Sequence, residues 1–232
     1  YNSQNGLTEN INFSNLPFDD LPVNDFDLIA ECSGKRTSIT TYPFNLKPKV
    51  LISATSYDAD QTIIIGFNES SFQSHSQFIS YGSCTVNAFV PLAHAIHQNL
   101  GIQEADVNVI HNLAEHLLIS QPDIFERRSC TLSDMAPNLL HFLNRNNFNV
   151  NYTIIPYSAM SRIDVRFKLE NKSTFKEIHN IIAKISNDIG EPLYEFWDHD
   201  FGPHMAIGTP YSSIFVLSQC NLIGDNLSLI HI

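Results

Sequence analysis

Cys84 stands in the run FISYGSCTVNAFVPLAHAIHQNLG, residues 78–101, where a strand-like segment gives way to a helix-like one. A thiol at such a junction has two readings. It is a small buried filler, as most core cysteines are, or its sulfur is held there to react. A helix starting at the junction aims unpaired backbone N–H groups at it, and these donors with the helix dipole favour negative charge. A thiol so placed ionises more readily, and the thiolate is the nucleophile. A nucleophile of this sort needs a base, and the chain has ten histidines. His94, His97, His111 and His116 follow Cys84 closely. His94 and His97 ride on the expected helix and point away from its start. His111 ends the apolar run DVNVI, which reads as a strand, and a strand running back beside the helix would return the imidazole to the thiol. On spacing alone the alternative stays open, a packed cysteine and an unrelated histidine.

The elements that must position this pair are legible in part. FDLIAEC (26–32), KVLISAT (49–55) and TIIIGFN (62–68) carry continuous apolar cores closed by polar or glycine-containing segments. Strands buried on both faces, as in parallel sheets covered by helices, look like this. QFISYGS delivers the chain to Cys84, with Gly82 allowing a tight approach. A helix is expected over 86–100, with Val86, Phe89, Val90, Ala93, Ile96 and Leu100 on one face and Gly101 at its end. Pro91 inside that span predicts a kink or a delayed start. RIDVRFKLE (162–170) alternates strictly, which predicts a strand of an antiparallel sheet with one wet face. A helix over 174–188 opens on Thr174 and Glu177 at capping-box spacing, and MAIG and NLSLIHI suggest further strands. Two regions are expected, with the boundary near residue 83.

Composition narrows the function classes. The chain has 232 residues, 43% hydrophobic and 16% charged, with a formal net charge of −11. That length can bury one large core or two smaller ones. Without a basic block there is little to neutralise phosphates, so nucleic acid is not an expected partner. The apolar runs fall short of the ~20 residues a membrane helix needs, so no membrane partner is expected. The N-terminal YNSQNGLTEN lacks a signal-peptide pattern. Four well-separated cysteines, Cys32, Cys84, Cys130 and Cys220, read as reduced thiols of a cytoplasmic protein, and no metal is called for.

The segment SYGSCTVNAFVPL resembles the active-site segment of glyceraldehyde-3-phosphate dehydrogenases, S-x-x-S-C-T-T-N-x-x-x-P-L, through Ser80, Ser83, Cys84, Thr85, Asn87, Pro91 and Leu92, with Val86 at the family's second threonine. DLIAECSG, KVLISATSYDAD, IIIGFN and RIDVRFKLE resemble family segments in order along the chain, and the 27-residue gap from Cys84 to His111 is the gap the family keeps between nucleophile and base. The resemblance implies an α/β chain. Residues 1–83 would be the C-terminal part of a dinucleotide-binding, Rossmann-type domain with a parallel sheet. Residues 84–232 would be an α+β catalytic domain with a largely antiparallel sheet. It implies an oxidoreductase in which the Cys84 thiolate attacks an aldehyde, His111 acts as base, and the hemithioacetal gives hydride to NAD or NADP. The thioester left behind is then cleaved by inorganic phosphate. Ser83 and Thr85 match positions that bind the attacking phosphate, and Ser33, Gly34 and Ser53 match positions lining the dinucleotide. Arg127 and Arg128 resemble a paired-arginine stretch that reaches a neighbouring subunit. The implied substrate is a phosphorylated sugar aldehyde, and the implied assembly a homotetramer.

Three departures qualify the resemblance. No G-x-G-x-x-G occurs among the nine glycines, so the chain is expected to lack the first half of its cofactor domain. The substrate-phosphate positions read Ala114, His116 and Ile154, where the family has two threonines and an arginine; Arg162 or His116 are the candidate substitutes. The threonine–glycine pair completing the inorganic-phosphate pocket has no match in PNLLHFLNRNN, so water is a candidate for cleaving the thioester. The alternatives are an erythrose-4-phosphate dehydrogenase-like enzyme and a catalytically inactive relative kept as a binding or scaffold protein.

Overall fold

The computed structural model describes residues 13–158, 160–190, 192–199 and 203–231. The reading of the first ten residues, and part of the expected region 1–83, lie outside them. Strands β1 (Leu28–Glu31), β2 (Lys49–Ile52), β3 (Gln61–Thr62) and β4 (Phe78–Ser80) form a parallel sheet in the order β1-β2-β4-β3. Tyr42, Leu46, Val50 and Ile52 make a small core on one face, closed by the loop that carries Phe18 and Val23. The other face is open. Leu28 is 50% exposed, and with Leu51, Ile65, Phe72 and Tyr81 it lines a groove of about 410 Å3. The expectation of burial on both faces therefore fails, because no helix lies over that side among the described residues.

β3 is also shorter than TIIIGFN suggests. Asn68 intercepts the ladder: its amide donates to the Thr62 carbonyl (3.0 Å) and its side-chain carbonyl accepts from the Ile64 N–H (2.7 Å). Glu69 accepts from the Gly66 and Phe67 N–H groups. The chain turns there instead of extending, and Ile64 is driven into the main core.

The chain continues through α1 (Cys84–Leu100), β5 (Ile102–Asn112), β6 (Glu126–Arg127), α2 (Leu132–Leu139), β7 (Phe148–Ile155), β8 (Arg162–Leu169), α3 (Phe175–Ile189), β9 (Tyr194–Trp197), β10 (Ser213–Val216), β11 (Asn221–Ile223) and β12 (Asn226–His231). The second sheet has eight strands in the order β6-β7-β5-β8-β12-β10-β9, with β11 on β12. It is largely antiparallel; β5–β7 and β9–β10 are the parallel pairs. The strict alternation of β8 appears as Ile163, Val165, Phe167 and Leu169 buried against the helices. α3 begins at the Thr174–Glu177 capping box. MAIG is not a strand. Residues 203–206 form a 3-10 turn, closed by the Ile207 N–H to the His204 carbonyl and by the Thr209 N–H and hydroxyl to the Ala206 carbonyl.

α1 is the central pillar of the core. Phe89 is fully buried, with its ring 5.4 Å from Phe148 and 5.9 Å from Phe167. The helix starts at Cys84 and runs through Pro91 without delay. Proline removes one backbone donor from the ladder. The buried Tyr194 hydroxyl reaches the carbonyls just beneath, donating to Ala88 (3.0 Å) and lying 3.5 Å from that of Asn87. The vacancy left by Pro91 is thus met from a neighbouring strand.

Candidate active site

Four local features fix Cys84 at the tip of α1. Ser80, at the end of β4, is fully buried; its hydroxyl donates to the Ala54 carbonyl (2.8 Å) and accepts from the Ser56 and Gly82 N–H groups. Gly82 then turns the chain with φ +70°, and a Cβ there would stand 2.9 Å from Ile64, so both backbone and space demand glycine. Ser83 caps the helix by accepting from the Val86 N–H. The Asn87 amide reaches back to the carbonyls of Tyr81 (2.7 Å) and Ser83 (3.0 Å), stapling the turn to the first helical turn.

His111 arrives on β5. Its Nε2 lies 3.8 Å from the Cys84 Sγ, and its Nδ1 is 2.7 Å from the Asn112 carbonyl. A carbonyl only accepts, so Nδ1 carries a proton and, in the neutral tautomer this fixes, Nε2 would turn its lone pair toward the sulfur. A base awaiting a thiol proton needs that tautomer. His94 and His97 are engaged elsewhere, His94 edge-on to Phe67 and His97 stacked 3.7 Å from Phe142. His116 sits exposed in a 3-10 turn.

The thiol's ionisation differs from the sequence expectation. Close packing around the sulfur pushes the Cys84 thiol up, and the pull of the Thr85 and Cys84 N–H groups at the helix tip does not offset it. Cys84 as a whole residue is nevertheless exposed. Desolvation disfavours the thiolate more than the helix tip favours it.

Ser83 and Thr85 are joined by a residue that the sequence did not suggest. Thr131 stands at the N-cap position of α2 yet makes no cap; its hydroxyl donates to the Ser83 oxygen instead (2.9 Å). With that oxygen accepting, the Ser83 hydroxyl donates onward to Thr85 (3.0 Å), and the Thr85 hydroxyl in turn to the Cys130 sulfur (3.7 Å). The sequence analysis looked for a threonine–glycine pair in PNLLHFLNRNN; Thr131, ahead of that segment in the SCT run at 129–131, brings a hydroxyl to Ser83 at the convergence of two helix starts. Tyr152 on β7 was also missed. Its ring lies 5.3 Å from that of His111, and burial, then the nearby Cys130 and Cys84 sulfurs, pushes its phenol up to about 12. Only the adjacency of β7 to β5 brings it there.

The remaining expected positions are spread more widely. Ser33 and Gly34 follow β1 and Ser53 follows β2, all exposed at the carboxyl edge of the parallel sheet, the edge from which β4 also leads to Cys84. Thr55, just beyond, has a buried hydroxyl with no hydrogen-bond partner. Hydroxyls at the carboxyl ends of parallel strands fit one side of a dinucleotide. Ala114 is exposed and Ile154 buried. Arg127 binds the Asn151 side chain and Arg128 pairs with Glu126 (2.6 Å). Beside Cys84 and His111 opens a cavity of about 340 Å3. Among the described residues no cluster of three or more His, Cys, Asp or Glu is placed to hold a metal ion, and no helix is long and apolar enough to cross a membrane.

Residues 83–231 match the sequence model of a family described as glyceraldehyde 3-phosphate dehydrogenase, C-terminal domain. The chain is similar to a chloroplastic glyceraldehyde-3-phosphate dehydrogenase of Arabidopsis thaliana, with 27% identity over 87% of this chain and 50% of the relative. It is 33% identical to a glyceraldehyde-3-phosphate dehydrogenase of Pseudomonas aeruginosa over 53% of this chain and 37% of the relative. A Chlamydia pneumoniae glyceraldehyde-3-phosphate dehydrogenase is 27% identical over 88% of this chain and 65% of the relative. The chain thus spans less than two thirds of the length of these curated relatives.

Proposed function

The chain belongs to the glyceraldehyde-3-phosphate dehydrogenase family, and we propose that it carries the thiol half of an aldehyde-oxidising site, with Cys84 as nucleophile and His111 as general base. The observation that carries this reading is the 3.8 Å approach of His111 Nε2 to the Cys84 sulfur, with Nδ1 anchored on a backbone carbonyl. A thiol kept only for packing has no need of an imidazole in that tautomer.

In this reading His111 takes the thiol proton and the sulfur adds to the aldehyde carbon. The oxygen that gains charge lies near the N–H groups at the start of α1, where the dipole stabilises it. His111 then returns the proton to that oxygen, giving a hemithioacetal. Ser33, Gly34 and Ser53 would line a nicotinamide dinucleotide, NAD or NADP, which when bound supplies the acceptor for the hydride; loss of that hydride, with the hydroxyl proton passing back to His111, makes the thioester. Ser83, Thr85 and Thr131 would hold the group that cleaves the thioester. Their hydroxyl protons are already passed from one to the next, so an incoming phosphate would have to turn them outward, whereas water can join the chain as it stands. We place residues 1–83 in the dinucleotide-binding part and 84–232 in the catalytic part.

Iodoacetamide labelling mapped by mass spectrometry tests the pair. Wild-type Cys84 is expected to react at neutral pH about tenfold faster than in His111→Ala, because a neighbouring cation lowers a thiol pKa by roughly a unit or more. Equal rates at Cys84 in both proteins, matching those of Cys130 and Cys220, would support the inactive scaffold instead.

A further inference from the structure

Resting on the thiol chemistry just proposed, we infer that the aldehyde captured by Cys84 is uncharged and hydroxyl-bearing, a short hydroxyaldehyde and not a phosphorylated sugar. The cavity beside the sulfur is walled by Ala88, Met160 and Ile163 on its apolar side and by Asn112, Ser161 and Ser213 on its polar side. No lysine or arginine lines it among the described residues. A phosphate dianion entering such a space would lose its hydration without gaining a cation, and that desolvation cost is large. Arg162, between the lining residues Ser161 and Ile163, alternates to the opposite, exposed face of β8, and Arg127 and Arg128 are committed to Asn151 and Glu126. The Thr85 and Cys84 N–H groups at the start of α1 act on the sulfur.

Ser213 points to what the cavity takes instead. It is 2% exposed, it lines the cavity, and its hydroxyl has no hydrogen-bond partner. A buried orphan hydroxyl is costly to leave unmade. It lies on β10 and lines the same cavity as Cys84, where a hydroxyl on the carbon next to the aldehyde would supply the missing partner. Ser161 donates to the Asn112 side-chain carbonyl (3.2 Å) and so orients that amide at the same wall. The capture step needs no oxidant: a C–S bond forms, the C=O π bond opens, and the thiol proton passes through His111 to the new hydroxyl oxygen.

Protection of Cys84 from iodoacetamide by aldehydes reads this step directly on the chain as it stands. Glyceraldehyde, glyceraldehyde 3-phosphate and propionaldehyde would be titrated, with concentrations corrected to free aldehyde, against wild type and Ser213→Ala. Glyceraldehyde is expected to protect at roughly five- to tenfold lower concentration than either of the other two, the worth of one hydrogen bond. In Ser213→Ala its advantage over propionaldehyde should shrink to about twofold or less. Equal or better protection by the phosphate ester would overturn the inference while leaving the thiol reading intact, and so would an undiminished glyceraldehyde advantage in Ser213→Ala. Protection by none of the three would overturn both. The wild-type comparison stands even where the variant fails to fold.

Discussion

The two walls of the Cys84 cavity are built on opposite plans. At the α1 tip every polar group has a partner: Ser83 caps and accepts, Thr131 donates to it, Thr85 closes on Cys130, and Asn87 staples the turn. On the far wall the surface is neutral, and Ser213 is left without a partner. In the proposed chemistry the tip places the nucleophile, which demands a fixed geometry. The far wall meets whatever arrives, so its side chains can change without moving the sulfur. The resemblance to the family's active-site segment is correspondingly dense at 80–92, while the positions that it implies for the substrate phosphate read Ala114, His116 and Ile154.

Replacing Phe89 by alanine should disturb both walls at once, because this ring seats α1 on the sheet. The expected loss is about 3–5 kcal/mol of stability, measured by denaturant unfolding. Asn87→Ala should separate the walls. Two carbonyls of the turn before Cys84 lose their donor, at a cost of roughly 1–3 kcal/mol, and Cys84 labelling should slow while the order of aldehyde protection persists. An altered order would show that the walls are not independent. Thr131→Val removes one donor to Ser83 and should cost about 1 kcal/mol, with a changed response of Cys84 labelling to added phosphate.

The smallest effect is a control remote from both walls. The Thr174 N–H, first, and the Ser173 and Thr174 hydroxyls hold the Glu177 carboxylate below its ordinary range. A depressed carboxylate contributes stability that is present above its unfolded pKa and lost as pH falls through the lower folded one. Wild type should therefore be more stable than Glu177→Gln above the usual glutamate range, and the difference should close as pH falls to the acid side of it, with labelling of Cys84 unaffected at neutral pH.

Much of the frame was legible because periodicity reports burial. The alternation of 162–169 marks one face of β8, and the Thr174–Glu177 spacing marks the start of α3. What escaped depended on contacts distant in sequence. The strand expected in TIIIGFN is cut short by the side chain of Asn68, which no apolar count registers. Pro91 causes no delay because Tyr194, over a hundred residues on, reaches its vacancy. Thr131 and Tyr152 join the site only through helix convergence and strand adjacency. The Cys84–His111 pairing was readable as spacing, but the upward push of packing on the thiol was not, since local sequence shows the helix tip and not what crowds it.

That push makes titration of the Cys84 thiolate the most direct test of the pairing. Its ultraviolet absorbance would be followed against pH in a protein with Cys32, Cys130 and Cys220 replaced by serine, with and without His111→Ala. With His111 present, part of the thiolate signal should rise on the acid side of the ordinary thiol range, as an ion pair with the imidazolium. Without it, a single transition should remain, above that range. Superimposable curves would contradict the pairing on which the proposed chemistry depends.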